Sequence, residues 1–375
     1  MIYFDNAATT KPSENAVKKA EVFLKDKFYN PSALYTGGLD CANELSDARE
    51  SVLNNLGLSS FKYEVVFTSC GTESDNLAVF GTAKRGVYVT DKGEHSAIYK
   101  SFLELARRKT DTHFINLNKD GSVNTEELFD FVKNNNVAFV SIMHVNNETG
   151  AINDVRAIAD RLKKINPSIV FHSDGVQAYG KIPFTFSENI DMYSVSAHKI
   201  NALKGCGVLI KKKKLHLMPI IFGGGQEGDI RSGTENVFGI KTFQYAGETH
   251  YSDIRANFNK VKTINDYIRC NLDKDVFTVL SGTSASPYIL SVSAKGLKGE
   301  VLMHSLENYN IIIGNGSACS SRNRYSRVIE ACGYESSILD GVLRISFSAE
   351  NTIDEAREFT IKINETAKRL KGIMR

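Results

Sequence analysis

The first two thirds of the chain alternate between short apolar runs and amphipathic segments. Short apolar runs predict buried strands, and apolar residues at helical spacing predict helices between them. The predicted strands are 64–68, 87–90, 114–117, 137–145, 169–172 and 192–195. The predicted helices are 42–56, one opening near Thr72 with Asp75 at capping-box spacing, 95–108, 125–133 and 155–164. Such alternation predicts an α/β fold with a mostly parallel sheet flanked by helices.

The last third of the chain predicts a second, smaller α+β lobe. A long helical region over 237–271 leads to strands at 288–292, 311–313 and 342–347 and to a helix at 300–307. Thr352 and Glu355 have the spacing of a capping box for a last amphipathic helix. We expect a large domain over 14–250, and a small domain that combines 1–13 with 251–375.

Reactive side chains follow the predicted strands of the large domain. They are Thr72, His95, Asn147, Asp174, Gln177, Ser196, His198 and Lys199. Ligands of such sheets bind beyond the carboxyl ends of the strands, so these side chains should share one rim. Lysine forms Schiff bases with carbonyl compounds, although a lone strand-end lysine such as Lys199 is more often a solvated surface residue.

Three neighbours on the rim favour a cofactor role for Lys199. Pyridoxal phosphate needs a helix N-terminus for its phosphate, a carboxylate for its pyridine nitrogen and a flat group against its ring. Thr72 opens a helix, Asp174 ends a strand and His95 begins another helix. Alone, each would be read as a cap or a surface residue. Together with Lys199, they predict a pyridoxal phosphate site.

Six motifs extend this pattern over essentially the whole chain. They are TSCGTESDN from Thr68, SIMHVNNETG from Ser141, HSDGVQAYGKIP from His172, SAHKI from Ser196, GGGQEGDIRSGTENV from Gly223 and GSACSS from Gly316. With them the sequence resembles the class V aminotransferase-like cysteine desulfurases of the NifS/IscS type. The resemblance implies the fold-type I of pyridoxal-phosphate-dependent transferases, with the catalytic cysteine loop carried by the small domain.

The resemblance also implies a role for each matching residue. Lys199 would hold the cofactor, Asp174 would pair with its pyridinium nitrogen and His95 would stack on its ring. Asn147 and Gln177 would bond near the phenolic oxygen, and Arg344 and Asn147 would bind the substrate. The implied phosphate ligands are Gly71, Thr72, Ser196 and His198, with Thr234 contributed to the other subunit of a homodimer.

Cys319, in the GSACSS segment, resembles the nucleophile of these enzymes. It would take sulfur from L-cysteine as a persulfide and release L-alanine, and the persulfide could transiently ligate an iron–sulfur cluster. The sulfur acceptor would be an iron–sulfur scaffold protein. Because the chain ends at Arg375, directly after the last helix, a tRNA-thiolating enzyme is an alternative acceptor.

Some positions depart from the family pattern. Cys70 stands where glycine is usual beside the phosphate turn, and Ala197 replaces the glycine before the His-Lys pair. Residues 201–203 replace a glycine-proline element. None of these changes removes an implied catalytic group.

Composition narrows the possible partners. The formal net charge of +3 gives no argument for nucleic acid, and the lysines at 211–214 are expected to be a solvated element end. The six cysteines form no C-x-x-C pair, so we expect reduced thiols and no resident metal. There is neither an apolar run of membrane-spanning length nor an N-terminal signal pattern, so we expect a cytoplasmic protein that does not bind membranes.

Two other functions fit parts of the pattern. A selenocysteine lyase or another class V aminotransferase-like enzyme would keep the cofactor residues without needing the GSACSS segment. A cofactor-free interaction protein on the same fold would be expected to lose Lys199 or Asp174. The presence of all three features favours the cysteine desulfurase.

Overall fold

The computed structural model describes residues 1–315 and 325–373. Its strands are β1 (Ile2–Phe4), β2 (Tyr63–Thr68), β3 (Val87–Asp91), β4 (Thr112–Ile115), β5 (Val137–Ser141), β6 (Val170–Asp174), β7 (Met192–Ser196), β8 (Gly207–Lys212), β9 (Phe277–Val279), β10 (Ile289–Ala294), β11 (Ile311–Asn315) and β12 (Val342–Ser346). Its α-helices are α1 (Glu14–Ala20), α2 (Val22–Lys25), α3 (Thr36–Asn55), α4 (Gly71–Gly81), α5 (Ser96–Arg107), α6 (Thr125–Asn134), α7 (Val155–Ile165), α8 (Val237–Ser252), α9 (Ile254–Asn271), α10 (Gly299–Glu307), α11 (Arg327–Ala331), α12 (Ser336–Leu339) and α13 (Ile353–Ile373). A 3-10 turn covers Ala197–Lys199.

A seven-stranded sheet with the order β2-β8-β7-β6-β5-β3-β4 forms the larger layer. Strands β3 to β7 pair in parallel, and β8 runs antiparallel to both of its neighbours. Strands β5, β6 and β7 are buried along their whole length, as expected of central parallel strands that are covered on both faces. The predicted α/β architecture is confirmed, and the carboxyl ends of β3, β5, β6 and β7 meet at one edge.

Strand β8 lies outside the strands predicted from the sequence, and the lysines at its end are expected to be solvated. In the structure Lys211 is only 2% exposed. Its ammonium group donates to the carbonyl of Leu215 at 2.7 Å and pairs with Glu64. Lys212 forms an ion pair with Asp191 at 2.7 Å. The expectation of solvated lysines is therefore wrong for these two residues, because each has a carboxylate partner on another element.

A five-stranded sheet with the order β1-β11-β12-β10-β9 forms the smaller layer. Strand β1 pairs in parallel with β11, so the N-terminus of the chain joins strands from its C-terminal third. Helices α9, α10 and α13 cover this sheet through a shared apolar core. The predicted capping box opens α13, since Glu355 accepts from the Thr352 amide at 2.8 Å and its own amide donates to the Thr352 hydroxyl at 3.2 Å.

The N-terminal segment connects the two sheets. After β1, Asp5 bridges to Ser346 on β12, and the amides of Thr10 and Ser13 donate to the carbonyls of His198 and Asn201. This path carries the segment across the edge at which the strands of the larger sheet end. Among the described residues, no helix has both the length and the apolar character needed to cross a membrane.

Candidate active site

A cavity of about 350 Å³ lies at the carboxyl edge of the larger sheet. Ten of the residues predicted from the sequence line it: Gly71, Thr72, His95, Asn147, Asp174, Gln177, Ser196, His198, Lys199 and Arg344. Ala7, Ala8, Cys70, Asp75, Met143, Val145 and Val176 complete the lining. The structure therefore brings together residues as far apart in the sequence as Ala7 and Arg344.

Lys199 reaches the cavity from the 3-10 turn that follows β7. Its Nζ donates to the carbonyls of Ala7 at 2.6 Å and Ala8 at 2.7 Å. Ala197 also anchors this turn, because it is buried and its amide donates to the carbonyl of Cys206. The N-terminal segment thus fixes the position of the lysine side chain at the edge of the sheet.

Asp174 ends β6 with its carboxyl group buried against the cavity. Its Oδ1 accepts from the Val176 amide at 2.8 Å, and burial raises its pKa to about 6. Asp75, from helix α4, is 1% exposed, and burial together with the neighbouring Asp174 raises its pKa. Polar atoms of Asp75, Asp174 and His95 all lie within 4.8 Å of one another. One negative charge shared by the two carboxyl groups suits a cationic ligand there.

His95 caps helix α5 and faces the cavity as a neutral imidazole. Its Nδ1 accepts from the amide of Ala97 at 3.2 Å, so the ring proton belongs on Nε2. Burial, together with the charge of Lys199, lowers the pKa of His95 to about 4. A neutral ring with a defined tautomer can pack on a flat ligand and exchange a proton through Nε2.

The first turn of helix α4 and the end of β7 form one end of the cavity. A Cβ atom added to Gly71 would lie 3.1 Å from Val176 and 3.2 Å from Ser196, so a side chain at this position would crowd both. The hydroxyl oxygen of Ser196 is buried and has no hydrogen-bond partner among the described residues. Helix N-termini attract anions through unpaired N–H groups and the helix dipole, so this end suits a phosphate.

The predicted capping box of this helix is absent. Cys70 is the N-cap residue and makes no side-chain cap bond, while Glu73 accepts from the Ser69 amide at 2.8 Å. Asp75 lies on the buried face of α4 instead of bonding to Thr72. Sequence spacing alone could not separate these arrangements, because both place a carboxylate within the first turns of a helix.

Arg344 enters the cavity from β12 of the smaller sheet. Its Nη1 donates to the carbonyl of Asn147 at 3.0 Å and its Nη2 donates to Asp5 at 3.0 Å. Its Nε and the side-chain oxygen of Asn147 are both buried without a partner in the described part of the chain. Unpaired buried polar atoms of this kind are rare in folded proteins, and they mark where a ligand would bond.

His198 supports the N-terminal segment from the other side of the cavity. Its Nδ1 lies 3.1 Å from the hydroxyl of Thr9, and burial lowers its pKa to about 4. Its carbonyl accepts from both the amide and the hydroxyl of Thr10. The residue is therefore a neutral group that helps to hold the wall of the cavity.

Two predicted site residues are not placed in the cavity. Thr234 is exposed on the glycine-rich loop and is not part of the lining. Cys319 lies outside the described residues. A larger cavity of about 930 Å³ adjoins that loop, but four of its charged residues bond to each other in pairs, Arg49 with Glu227 at 2.6 Å and Lys211 with Glu64. We therefore place the chemistry in the smaller cavity.

Asp75 lines the cavity, although the sequence predicts it only as part of a helix cap. Helix α4 is buried at Gly71, Ser74, Ala78 and Val79, and Asp75 falls on this inward face. Behind it, His172 bonds to Ser194 and to Ser141 at 2.9 Å each, and burial lowers its pKa to about 3. Its 3.7 Å approach to Asp75 is therefore not an ion pair.

The fold and the cavity define an α/β enzyme class in which a strand-end lysine, a buried carboxylate and a helix N-terminus surround one ligand. The sequence pattern of the family described as "Aminotransferase class-V" matches residues 2–359. A "NifS/IcsS protein homolog" of Lactobacillus delbrueckii subsp. bulgaricus is 35% identical, and the alignment covers 97% of each chain. A "Cysteine desulfurase" of Nostoc sp. is 33% identical over 99% of this chain and 94% of its own. A solved structure described as a NifS-like protein superposes with a TM-score of 0.89 at 32% identity, covering 97% of this chain and 98% of that one.

The chain therefore belongs to the class-V aminotransferase family, where its relatives are of the NifS/IscS type. Its cofactor is pyridoxal phosphate. The residues present fit this group: the buried Ser196 hydroxyl beside a helix N-terminus suits the phosphate, and the buried Asp174 suits a protonated ring nitrogen. Lys199 supplies an amine in the same cavity.

Proposed function

We propose that this chain removes sulfur from L-cysteine, releases L-alanine and carries the sulfur as a persulfide on Cys319. The chain is a pyridoxal-phosphate-dependent cysteine desulfurase. The observation that carries the proposal is the single cavity that joins Lys199, Asp174 and His95 to Arg344 from the other sheet.

Different lining residues would bind different parts of the cofactor. Lys199 would hold the cofactor, Asp174 would keep its ring nitrogen protonated and His95 would pack on its ring. The phosphate is bound by Gly71, Thr72, Ser196 and His198, and the region of the phenolic oxygen by Asn147 and Gln177. When bound, the cofactor supplies an electron sink that lets the substrate lose its Cα proton.

Substrate binding uses the remaining donors of Arg344. A guanidinium group matches a carboxylate with its planar fork, and the Nε of Arg344 is buried and unpaired within the described residues. Asn147 offers a second polar group on the same side. The amine of Lys199 would take the Cα proton, because it lies in the same cavity as Arg344.

The bonds and electrons of the sulfur transfer balance, so the reaction needs no external oxidant. The Cys319 thiolate attacks the substrate sulfur, an S–S bond forms and the substrate C–S bond breaks. The electron pair of the broken bond remains on the carbon skeleton, which takes up a proton and leaves as L-alanine. The products are one L-alanine and one persulfide, and a reductant releases the persulfide sulfur as sulfide.

Mixing the purified protein with L-cysteine and a reductant tests this proposal. We expect wild type to release sulfide and alanine in equal amounts, and Cys319→Ala to lose sulfide release. Cys270→Ala is the matched control, since Cys270 is an exposed thiol outside the cavity, and it should behave as wild type. Sulfide release by Cys319→Ala at the wild-type rate would refute the role of Cys319.

The proposal also covers the oligomeric state of the protein and the acceptor of its sulfur. We infer a homodimer in which Thr234 reaches the phosphate bound by the other subunit, and the exposure of Thr234 and of the neighbouring Phe222 supports this. The sulfur acceptor is an iron–sulfur scaffold or a tRNA-thiolating enzyme, and the protein acts in the cytoplasm. We also propose the domain division at 14–250, with 1–13 and 251–375 as the small domain, supported by the two separate sheets.

A further inference from the structure

Gln177 and Lys181 lie on a tight turn that follows β6. The amides of Ala178 and Tyr179 both donate to the carbonyl of Gly175 at 2.9 Å, and the Lys181 amide donates to the carbonyl of Ala178 at 3.0 Å. Gly180 has φ +68°, a left-handed conformation that glycine adopts without strain. The turn places the two side chains four positions apart on the same side, where they meet.

The side-chain amide of Gln177 has a nearly complete set of hydrogen bonds. Its Oε1 accepts from Lys181 Nζ at 2.9 Å, and its Nε2 donates to the carbonyl of Ala7 at 2.9 Å. A glutamine amide carries two N–H groups, so one N–H remains on a side chain that lines the cavity. Rotating the amide by half a turn would place its NH₂ group against Lys181 and its oxygen against the Ala7 carbonyl. The contact of the amide oxygen with the Ala7 carbonyl would be repulsive, and so would the contact of the NH₂ group with the ammonium form of Lys181, so these two partners together fix the amide orientation.

Lys181 has an unusual environment for a lysine. It is 3% exposed, and within the described part of the chain Gln177 is its hydrogen-bond partner and no carboxylate pairs with it. Burial lowers its pKa to about 7, and the charges of Lys199 and Arg344 act in the same direction. Burying a lysine without a carboxylate partner destabilises the folded protein. The presence of such a lysine therefore indicates a role other than stability. The charged and neutral forms of the amine both carry N–H groups, so either form can donate to Gln177.

We propose that Lys181 is a positioning residue that locks the amide of Gln177, so that its remaining N–H points to the phenolic oxygen of pyridoxal phosphate. The inference rests on the proposed contact between Gln177 and that oxygen. With Lys181 in place, residue 177 can only donate to the cofactor and cannot present its own oxygen. A donated hydrogen bond favours the ionised form of the phenolic oxygen.

Lys181→Met tests this inference because it keeps the length of the side chain and removes its N–H groups. We expect its dissociation constant for pyridoxal phosphate to rise roughly tenfold, the size of one hydrogen bond to a charged group. The pH midpoint of the cofactor's long-wavelength absorbance should rise as well, because the ionised oxygen loses its donor. Gln177→Leu should produce the same two changes.

The double variant separates positioning from long-range charge. If Lys181 acts through Gln177, adding Lys181→Met to Gln177→Leu changes neither the dissociation constant nor the midpoint further. If Lys181 acts through its charge on Lys199 or Arg344, the two effects add and the inference is overturned. Lys241→Met is the matched control, since Lys241 is likewise buried, at 2% exposed, but pairs with Glu44 away from the cavity. Equal changes in this control would also overturn the inference.

Two further variants test the inference if Lys181→Met does not fold. Lys181→Arg, which keeps N–H donors, should retain the wild-type midpoint, and the shorter Lys181→Gln should lose it. The opposite result overturns the inference. Wild-type cofactor properties in a folded Lys181→Met protein overturn the inference alone, whereas a wild type that binds no pyridoxal phosphate overturns the proposed function and this inference with it.

Discussion

At the scale of single residues, burial sets the protonation of the groups that line the cavity. It lowers the pKa of His95 to about 4 and raises that of Asp174 to about 6, so both groups are in the form the proposed chemistry needs at neutral pH. Burial also raises the pKa of Asp75. The neighbouring Asp174 acts in the same direction, because two ionised carboxylates at this distance would repel each other.

The carboxyl group of Asp174 predicts how cofactor binding depends on pH. Above its pKa the group is ionised and pairs with a pyridinium, and below its pKa it is neutral and the pairing is lost. We expect the affinity of the apoprotein for pyridoxal phosphate to fall as the pH drops through about 6. Asp174→Asn should bind roughly tenfold to a hundredfold more weakly at neutral pH, without that decline.

Titrating cofactor into wild type and Asp174→Asn across this pH range measures the effect. The protonation of free pyridoxal phosphate is common to both proteins, so it cancels in the ratio of the two dissociation constants. A ratio that stays constant from neutral to acidic pH would argue against an ionised Asp174 as the partner of the ring nitrogen.

The sequence predicts which residues line the cavity better than it predicts which side chains are buried there. Lys199, Asp174 and His95 follow strands, and that position alone is enough to bring them to one edge of a parallel sheet. Asp75 and Lys181 could not be assigned in this way, because their importance depends on burial beside Asp174 and Gln177. The sequence pattern identifies which residues approach the edge, but partners contributed by other elements decide which of them are buried.

At the scale of elements, most strands and helices follow from apolar periodicity, and the exceptions have physical causes. The predicted strand over 137–145 ends at Ser141, and the chain beyond it contributes Met143, Val145 and Asn147 to the lining of the cavity. The helical region over 237–271 is two helices, α8 and α9, divided at Asp253. Strand β8 was missed because its lysines find Glu64 and Asp191, two partners distant in sequence.

The capping box of α13 gives a stability prediction at this scale. Thr352→Ala removes the hydroxyl that accepts from the Glu355 amide, so it should lower the free energy of unfolding by about 1 kcal/mol. Urea titration followed by circular dichroism measures this change. Glu358→Gln is the control on the same helix, at an exposed position, and should have little effect. Equal losses in the two variants would show that the cap does not stabilise the helix.

At the scale of the whole molecule, the active site depends on parts of the chain that are far apart. The N-terminal segment supplies the carbonyls of Ala7 and Ala8 to Lys199, and the smaller sheet supplies Arg344. The sequence could suggest this only through the resemblance to a family, since strand β1 gives no local sign that it pairs with β11.

The proposed shared site predicts complementation between subunits that are each impaired at a different residue. Sedimentation should show a particle of twice the chain's mass, and Thr234→Ala should weaken cofactor binding without changing that mass. A dimer that mixes Lys199→Ala with Thr234→Ala chains should contain one site with both residues intact and recover part of the wild-type activity. A monomeric wild type, or mixed dimers as inactive as their parents, would contradict a shared site.

The most direct measurement is a single turnover with L-cysteine in the absence of reductant, analysed by peptide mass spectrometry. The account predicts that each active chain releases one L-alanine and gains one sulfur atom on the peptide that contains Cys319, while the peptides of Cys70 and Cys270 remain unmodified. Release of L-alanine with no added sulfur on Cys319, or with the sulfur on another cysteine, would contradict it.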